Sequence, residues 1–152
     1  MFRRACARFA TGVTVATTRA ADGSAHGLTV NAFSSISLDP PLVMIAIDRA
    51  SSVLRVFETS GYHAVNILRD DQRELSVRFS ELPEGRFSGV DWHPGAATGA
   101  PVIAGVLGVL ECRTVQVVEA GDHRIFIGEV VEASESEGRP LVFYDSEYTE
   151  IR

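Results

Sequence analysis

The chain contains no lysine, because all fourteen of its Lys-plus-Arg positions are arginine. That absence excludes Schiff-base chemistry, a covalent pyridoxal site and a phosphate loop built around its lysine. Cysteine is nearly as scarce. Cys6 and Cys112 are the only two, and they belong to no Cys-x-x-Cys pair. Neither a zinc site nor a dithiol redox motif is indicated, and both read as reduced, structural thiols. No Gly-x-Gly-x-x-Gly opens a helix after a strand, and no Gly-x-Ser-x-Gly elbow is present. The four histidines, His26, His63, His93 and His123, are too scattered to suggest a metal cluster. No run approaches the roughly 18 apolar residues of a membrane span. Arg3-Arg4 does not lead into an apolar export core, since Arg8 and then Thr11-Gly12 interrupt the residues after it. Basic charge is also outnumbered: twenty acidic residues leave a net charge of -6, which argues against a nucleic-acid partner. A soluble, cytoplasmic protein is expected.

What is present is 152 residues, read as one domain over 1–152 with a real core. A domain of that size is small for a complete site around a large ligand, so self-association is expected. Phe2, Cys6 and Phe9 predict a short helix packing one side in the first ten residues. Strands are predicted over 13–18 and 28–38, joined by a turn at Asp22-Gly23, and then over 42–47. Ser51 or Ser52 caps a helix to about Ser60, where Gly61 supplies a left-handed stop. A strand over 62–68 precedes a second helix from Asp70 or Asp71 towards Phe79. Residues 83–101, which include Trp92, read as a long ordered loop, and the remainder as strands over 106–118, 123–133 and 141–144. Many strands, tight turns and two or three short helices predict a mainly β, antiparallel barrel.

The run Gly27-Leu-Thr-Val-Asn-Ala-Phe-Ser-Ser-Ile-Ser-Leu-Asp-Pro-Pro-Leu-Val carries the most information. It reads as one strand with two faces. Leu28, Val30, Ala32, Ile36 and Leu38 fall on one side, and Thr29, Asn31, Ser35 and Ser37 on the other. The second face is polar but uncharged, which suits a neutral, planar, hydrogen-bonding ligand such as a flavin edge. Such a face is also what the solvated side of an ordinary sheet looks like.

Four further segments accompany that run: Phe9-Ala-Thr-Gly-Val-Thr-Val, Ala64-Val-Asn-Ile-Leu, Gly121-Asp-His-Arg-Ile-Phe-Ile-Gly-Glu-Val, and Pro140-Leu-Val-Phe-Tyr followed by Tyr148. Together they resemble, in order and over nearly the whole chain, the flavin reductase family that serves two-component monooxygenases. The resemblance implies the FMN-binding split barrel, a Greek-key antiparallel barrel that forms a homodimer and holds flavin near the dimer interface. It further implies an NAD(P)H-dependent enzyme that passes a hydride to FMN or FAD and hands the reduced flavin to a monooxygenase. A split barrel holding FMN as a carrier or sensor is the alternative. A relative of the pyridoxamine-phosphate oxidases is a weaker third reading, because this chain offers few cations for a second phosphate. No 2′-phosphate pocket is recognisable, which favours NADH over NADPH.

Thr29, Val30, Asn31 and Ala32 are the candidates for the flavin ring, through backbone N–H groups and the Asn31 amide, with Ser35 towards the ribityl chain. Arg49, Ser51 and Ser52 offer a cation, hydroxyls and backbone donors for a phosphate. Relatives often carry lysine or another residue where Arg49 stands. Phe79 resembles the family's aromatic near the flavin. The resemblance assigns His123 to the nicotinamide dinucleotide, with Tyr148 closing over it, while Asp122 shapes the turn. Each has a plainer reading: Asn31 as a bulge residue, Ser51 and Ser52 as caps, Ser35 as solvated, Phe79 as core and His123 as an idle hairpin histidine.

Overall fold

The computed structural model describes residues 1–152. The chain opens with α1 (Phe2–Cys6), β1 (Thr11–Gly12), β2 (Thr14–Arg19), β3 (Ala25–Val30), β4 (Phe33–Leu38) and β5 (Pro41–Asp48). Then come α2 (Leu54–Ser60), β6 (Tyr62–Ile67), a 3-10 turn at Asp70–Gln72 and α3 (Arg73–Glu81). The chain closes with β7 (Trp92–Pro94), β8 (Pro101–Ile103), β9 (Gly108–Ala120), β10 (His123–Glu135), β11 (Val142–Tyr144) and β12 (Glu147–Thr149).

Seven strands form one antiparallel sheet in the order β3-β2-β6-β9-β10-β5-β4. β3 and β4 lie at opposite edges of this sheet, yet only Asn31 and Ala32 separate them in the chain. Two residues cannot span an open seven-stranded sheet with strands about 4.8 Å apart, so the sheet rolls up until its edges meet. The two edges are joined by the chain but not by a ladder. The result is an antiparallel barrel split between β3 and β4.

The predicted single strand over 28–38 is therefore two. Up to Val30 the segment pairs with β2, and from Phe33 it pairs with β5. A bulge between Ser35 and Ser37 then adds Ile36 as an extra residue. The predicted apolar face breaks down there, with Ile36 51% and Leu38 93% exposed.

β2 and β6 bury both faces. One face joins Ala16 and Val65 to Val30, Ile45, Ile47 and Phe126 inside the barrel, with Phe57 of α2 as a plug. The other joins Val15 and Ala64 to Leu68, Phe79, Ile103 and Leu141, under α3 and the C-terminal segments. Asn66, in the Ala64-Val-Asn-Ile-Leu motif, ties β6 to β2 and β8. Its amide donates to Val15 O at 3.1 Å, and its Oδ1 accepts from Ile103 N at 2.9 Å.

Gly61 ends α2 at φ 75°, as expected. The 83–101 loop is ordered and includes β7, which pairs with β8. Trp92 already packs edge-on against Phe87 of its own chain, at 5.8 Å between centroids, so it does not require a second copy to cover it. α1 departs from expectation. Phe2 and Phe9 are largely exposed and so is Cys6, because a five-residue helix outside the barrel has no facing element. Cys6 is thus a surface thiol, whereas Cys112 is fully buried and burial raises its pKa to about 12.

Candidate functional site

The split in the barrel leaves backbone donors without ladder partners. Asn31 O accepts from Phe33 N at 3.0 Å, and Ala32 O accepts from Ala46 N at 3.0 Å, which fixes the turn. The N–H groups of Asn31 and Ala32 meet no acceptor in the protein, and neither does the Asn31 carboxamide. Two hollows open beside them, and Asn31 lines both. One, of about 280 Å³, is walled by Val13, Thr29, Ser76, Phe143 and Tyr148. The other, of about 310 Å³, is walled by Phe9, Thr11, Ala32, Phe33 and Met44. The Thr11 hydroxyl is buried there with no hydrogen-bond partner. Buried hydroxyls are rarely left unpaired.

Thr29 and Tyr148 meet through α3. Thr29 Oγ1 donates to Ser76 O at 2.6 Å, and the Tyr148 hydroxyl lies 2.7 Å from Ser76 Oγ. The Arg73 guanidinium sits 5.1 Å above the Tyr148 ring, within cation–π range. Tyr148 therefore belongs to the Asn31 hollow, and no contact brings it to His123. Val30 has a buried side chain, so it can offer a ligand only its backbone. Ser35 is exposed on β4. Phe79 has no exposed surface and packs edge-on against Phe87 at 4.9 Å; it supports the wall and cannot touch a ligand.

The 49–52 loop differs from its predicted form. Its donors are mostly taken: Arg49 N by Asp122 O at 2.9 Å, Ala50 N by Asp48 Oδ1 at 2.8 Å, and Ser51 N by Asp48 O at 2.9 Å. The Ser51 hydroxyl accepts from Val53 N at 3.4 Å at the entrance to α2. Ser52 lines a hollow of about 310 Å³ that it shares with His26, Gly27 and Arg86. Arg49 is exposed.

His123 is not remote from this loop. It pairs with Asp48 across β10 and β5, and its Nδ1 lies 2.7 Å from Asp122 Oδ1. Asp122 thus does more than shape the turn. Its carbonyl anchors Arg49 and its carboxylate orients the imidazole, and that hydrogen bond holds the Asp122 pKa below the usual carboxylate value. Sequence reasoning missed Thr11, Ser76 and Arg86, whose roles depend on contacts between distant segments. Only the Phe9-Ala-Thr motif pointed near Thr11.

Residues 6–152 match the family described as "Flavin reductase like domain". The chain belongs to that family. The "Flavin-dependent monooxygenase, reductase subunit HsaB" of Mycobacterium tuberculosis is 37% identical over 153 residues, covering 99% of this chain and 81% of the relative. "FMN reductase (NADH) SmoA" of Agrobacterium fabrum is 43% identical over 143 residues, covering 93% of this chain and 80% of the relative. Among solved structures, the Streptomyces globisporus C-1027 NADH:FAD oxidoreductase SgcE6 in complex with NAD and FAD fragments superposes with a TM-score of 0.94 at 34% identity. That match covers 99% of this chain and 91% of the other. In this flavin reductase like chain the residues at the split suit a flavin: apolar and aromatic walls, two unpaired amides, a free carboxamide and an orphaned hydroxyl. No helix is long and apolar enough to cross a membrane.

Proposed function

We propose that this chain is an NADH-dependent flavin reductase that passes a hydride from the nicotinamide to FMN or FAD and supplies the reduced flavin to a monooxygenase. The unpaired amide pair of Asn31 and Ala32 at the barrel split carries this reading, because a flavin edge presents the alternating acceptors such donors need. Bound flavin supplies the hydride acceptor. The protein's residues position it: Asn31, Ala32 and Thr11 hold the ring edge, Thr29 fixes the wall through Ser76, and His123, oriented by Asp122, receives the nicotinamide nucleotide. The family and the printed functions of its relatives support the reaction type.

Residues 1–152 act as one domain, and the working unit is a homodimer. Phe9 at 79% exposure, beside the hollow at Asn31, together with Ile36 and Leu38, supports a second copy covering this side. Light scattering on the flavin-loaded protein is expected to give the dimer mass, and a monomer would overturn this part. Two free cysteines fit a cytoplasmic location. Steady-state turnover with FMN or FAD against NADH or NADPH tests the reaction and its preferences together. A protein that binds FMN but leaves both nicotinamides unoxidised is a carrier, and that result would refute the reductase reading.

A further inference from the structure

The two sides of α3 differ in chemistry. Ser76 and Phe79, one turn apart, are buried against the barrel, and Ser76 ties Thr29 and Tyr148 into the wall of the Asn31 hollow. The outer side forms one bank of a groove of about 790 Å³, whose other bank runs from Gly89 to Asp91 and includes Ala104. The floor between them is apolar. Leu75 and Val90 are only partly buried where they pack on the core, and Leu82, at the end of the helix, is 38% exposed.

Charge along this groove is one-sided. Glu74, Glu81 and Asp91 line it, are exposed and form no ion pair within the chain. Asp71, the remaining acid of the lining, is held by Arg69 at 3.0 Å. The two cations of the lining are turned to other tasks. Arg78 donates from Nε to Arg86 O at 2.6 Å and from Nη2 to the carbonyls of Gly85 and Ser88, while the Arg73 guanidinium lies over the Tyr148 ring. Three unpaired carboxylates thus border an apolar floor.

We propose that this groove docks a basic, amphipathic helical segment of the monooxygenase that takes up the reduced flavin. The proposal rests on the flavin reductase reading and extends it to the partner's contact surface. Arginine or lysine side chains of such a segment meet Glu74, Glu81 and Asp91 at the rim, and its apolar face enters between Leu75, Leu82 and Val90. The position follows from α3. The helix that borders the groove on its outer side carries Ser76 of the flavin wall on its inner side, and the groove shares no lining residue with the Asn31 hollow. A partner seated here stands next to the flavin and leaves its hollow open.

The test titrates the FMN-loaded full chain with a fluorescein-labelled helical peptide that has a leucine face and an arginine face, read by anisotropy. Three proteins are compared: wild type, the groove variant Glu74→Gln/Glu81→Gln/Asp91→Asn, and the control Glu132→Gln/Glu135→Gln/Glu137→Gln, which loses the same charge elsewhere. Thermal melts confirm folding. Affinity is expected to fall at least tenfold in the groove variant and less than twofold in the control, with NADH oxidation within twofold of wild type in all three and in the presence of the peptide. Equal weakening in both variants would show attraction to net charge alone, and strong inhibition of NADH oxidation by the peptide would place it at the flavin; either overturns the proposal. A groove variant whose mass by light scattering differs from wild type would make the groove an interface between copies of this chain, which also overturns it. Wild type that oxidises NADH but binds the peptide no better than the groove variant refutes the docking surface alone. Wild type that binds the peptide but leaves NADH unoxidised refutes the reductase reading, and the monooxygenase as occupant with it.

Discussion

Asp122 Oδ1 lies 2.7 Å from His123 Nδ1, while the Asp122 carbonyl accepts the Arg49 N–H at 2.9 Å. One residue thus ties the β9–β10 turn to the loop before α2 and sets the orientation of the imidazole. With Asp122 ionised, Nδ1 donates, and Nε2 has no hydrogen-bond partner in the protein.

His123→Ala is expected to lower kcat/KM for NADH by about 1 to 3 kcal/mol, the worth of one positioning hydrogen bond. Asp122→Asn keeps the turn but weakens the orientation, so it should fall between wild type and His123→Ala. Because His123 neighbours the 49–52 loop, flavin titration must accompany stopped-flow reduction. A loss confined to flavin affinity would assign the histidine to the flavin.

Asn31→Ala is expected to weaken FMN and riboflavin alike, by about 1 kcal/mol, because the proposed function gives the carboxamide to the ring edge and not to the phosphate. Titration of the two flavins against one protein preparation decides it. A loss for FMN alone would contradict the ring-edge assignment.

His63 is buried, its Nε2 has no hydrogen-bond partner, and burial lowers its pKa from 6.5 to about 4. The folded state therefore resists the proton that the unfolded chain accepts. Stability is complete above 6.5 and declines as pH falls from 6.5 towards about 4, by about 3 kcal/mol in total. Urea melts across that window should show the fall, and His63→Gln should flatten it. An unchanged slope in the variant would place the titrating group elsewhere.

Gly95 is required by Glu111. A Cβ at position 95 would overlap Glu111 Oε1, the atom that accepts from Thr98 N at 2.9 Å and Thr98 Oγ1 at 2.7 Å. Gly95→Ala is expected to cost about 2 kcal/mol or more, and much less when Glu111 is already alanine. Thermal denaturation of the two single variants and the double variant measures this coupling. Additive losses would show that the contact is relaxed at little cost.

Local chemistry made some of this legible in the sequence. Gly61 stops α2 because only a left-handed residue fits there, and β5 shows itself by its apolar run. The break at Asn31-Ala32 was hidden, because the residues on either side alternate with the same period and the cause is a change of pairing partner, from β2 to β5. The family motifs pointed to Asn31 and His123. Arg86 and Ser76 were invisible, since their meaning depends on Gly27 and Tyr148, which are distant in the chain. Phe79 followed a family expectation into a place where burial leaves it only a supporting role.

Anaerobic rapid mixing of FMN-loaded protein with NADH decides whether the bound flavin accepts the hydride on the protein. Bleaching of the oxidised flavin is expected at a rate that saturates with NADH and far exceeds that of free FMN mixed with NADH. Bound flavin that bleaches no faster than free flavin would contradict it.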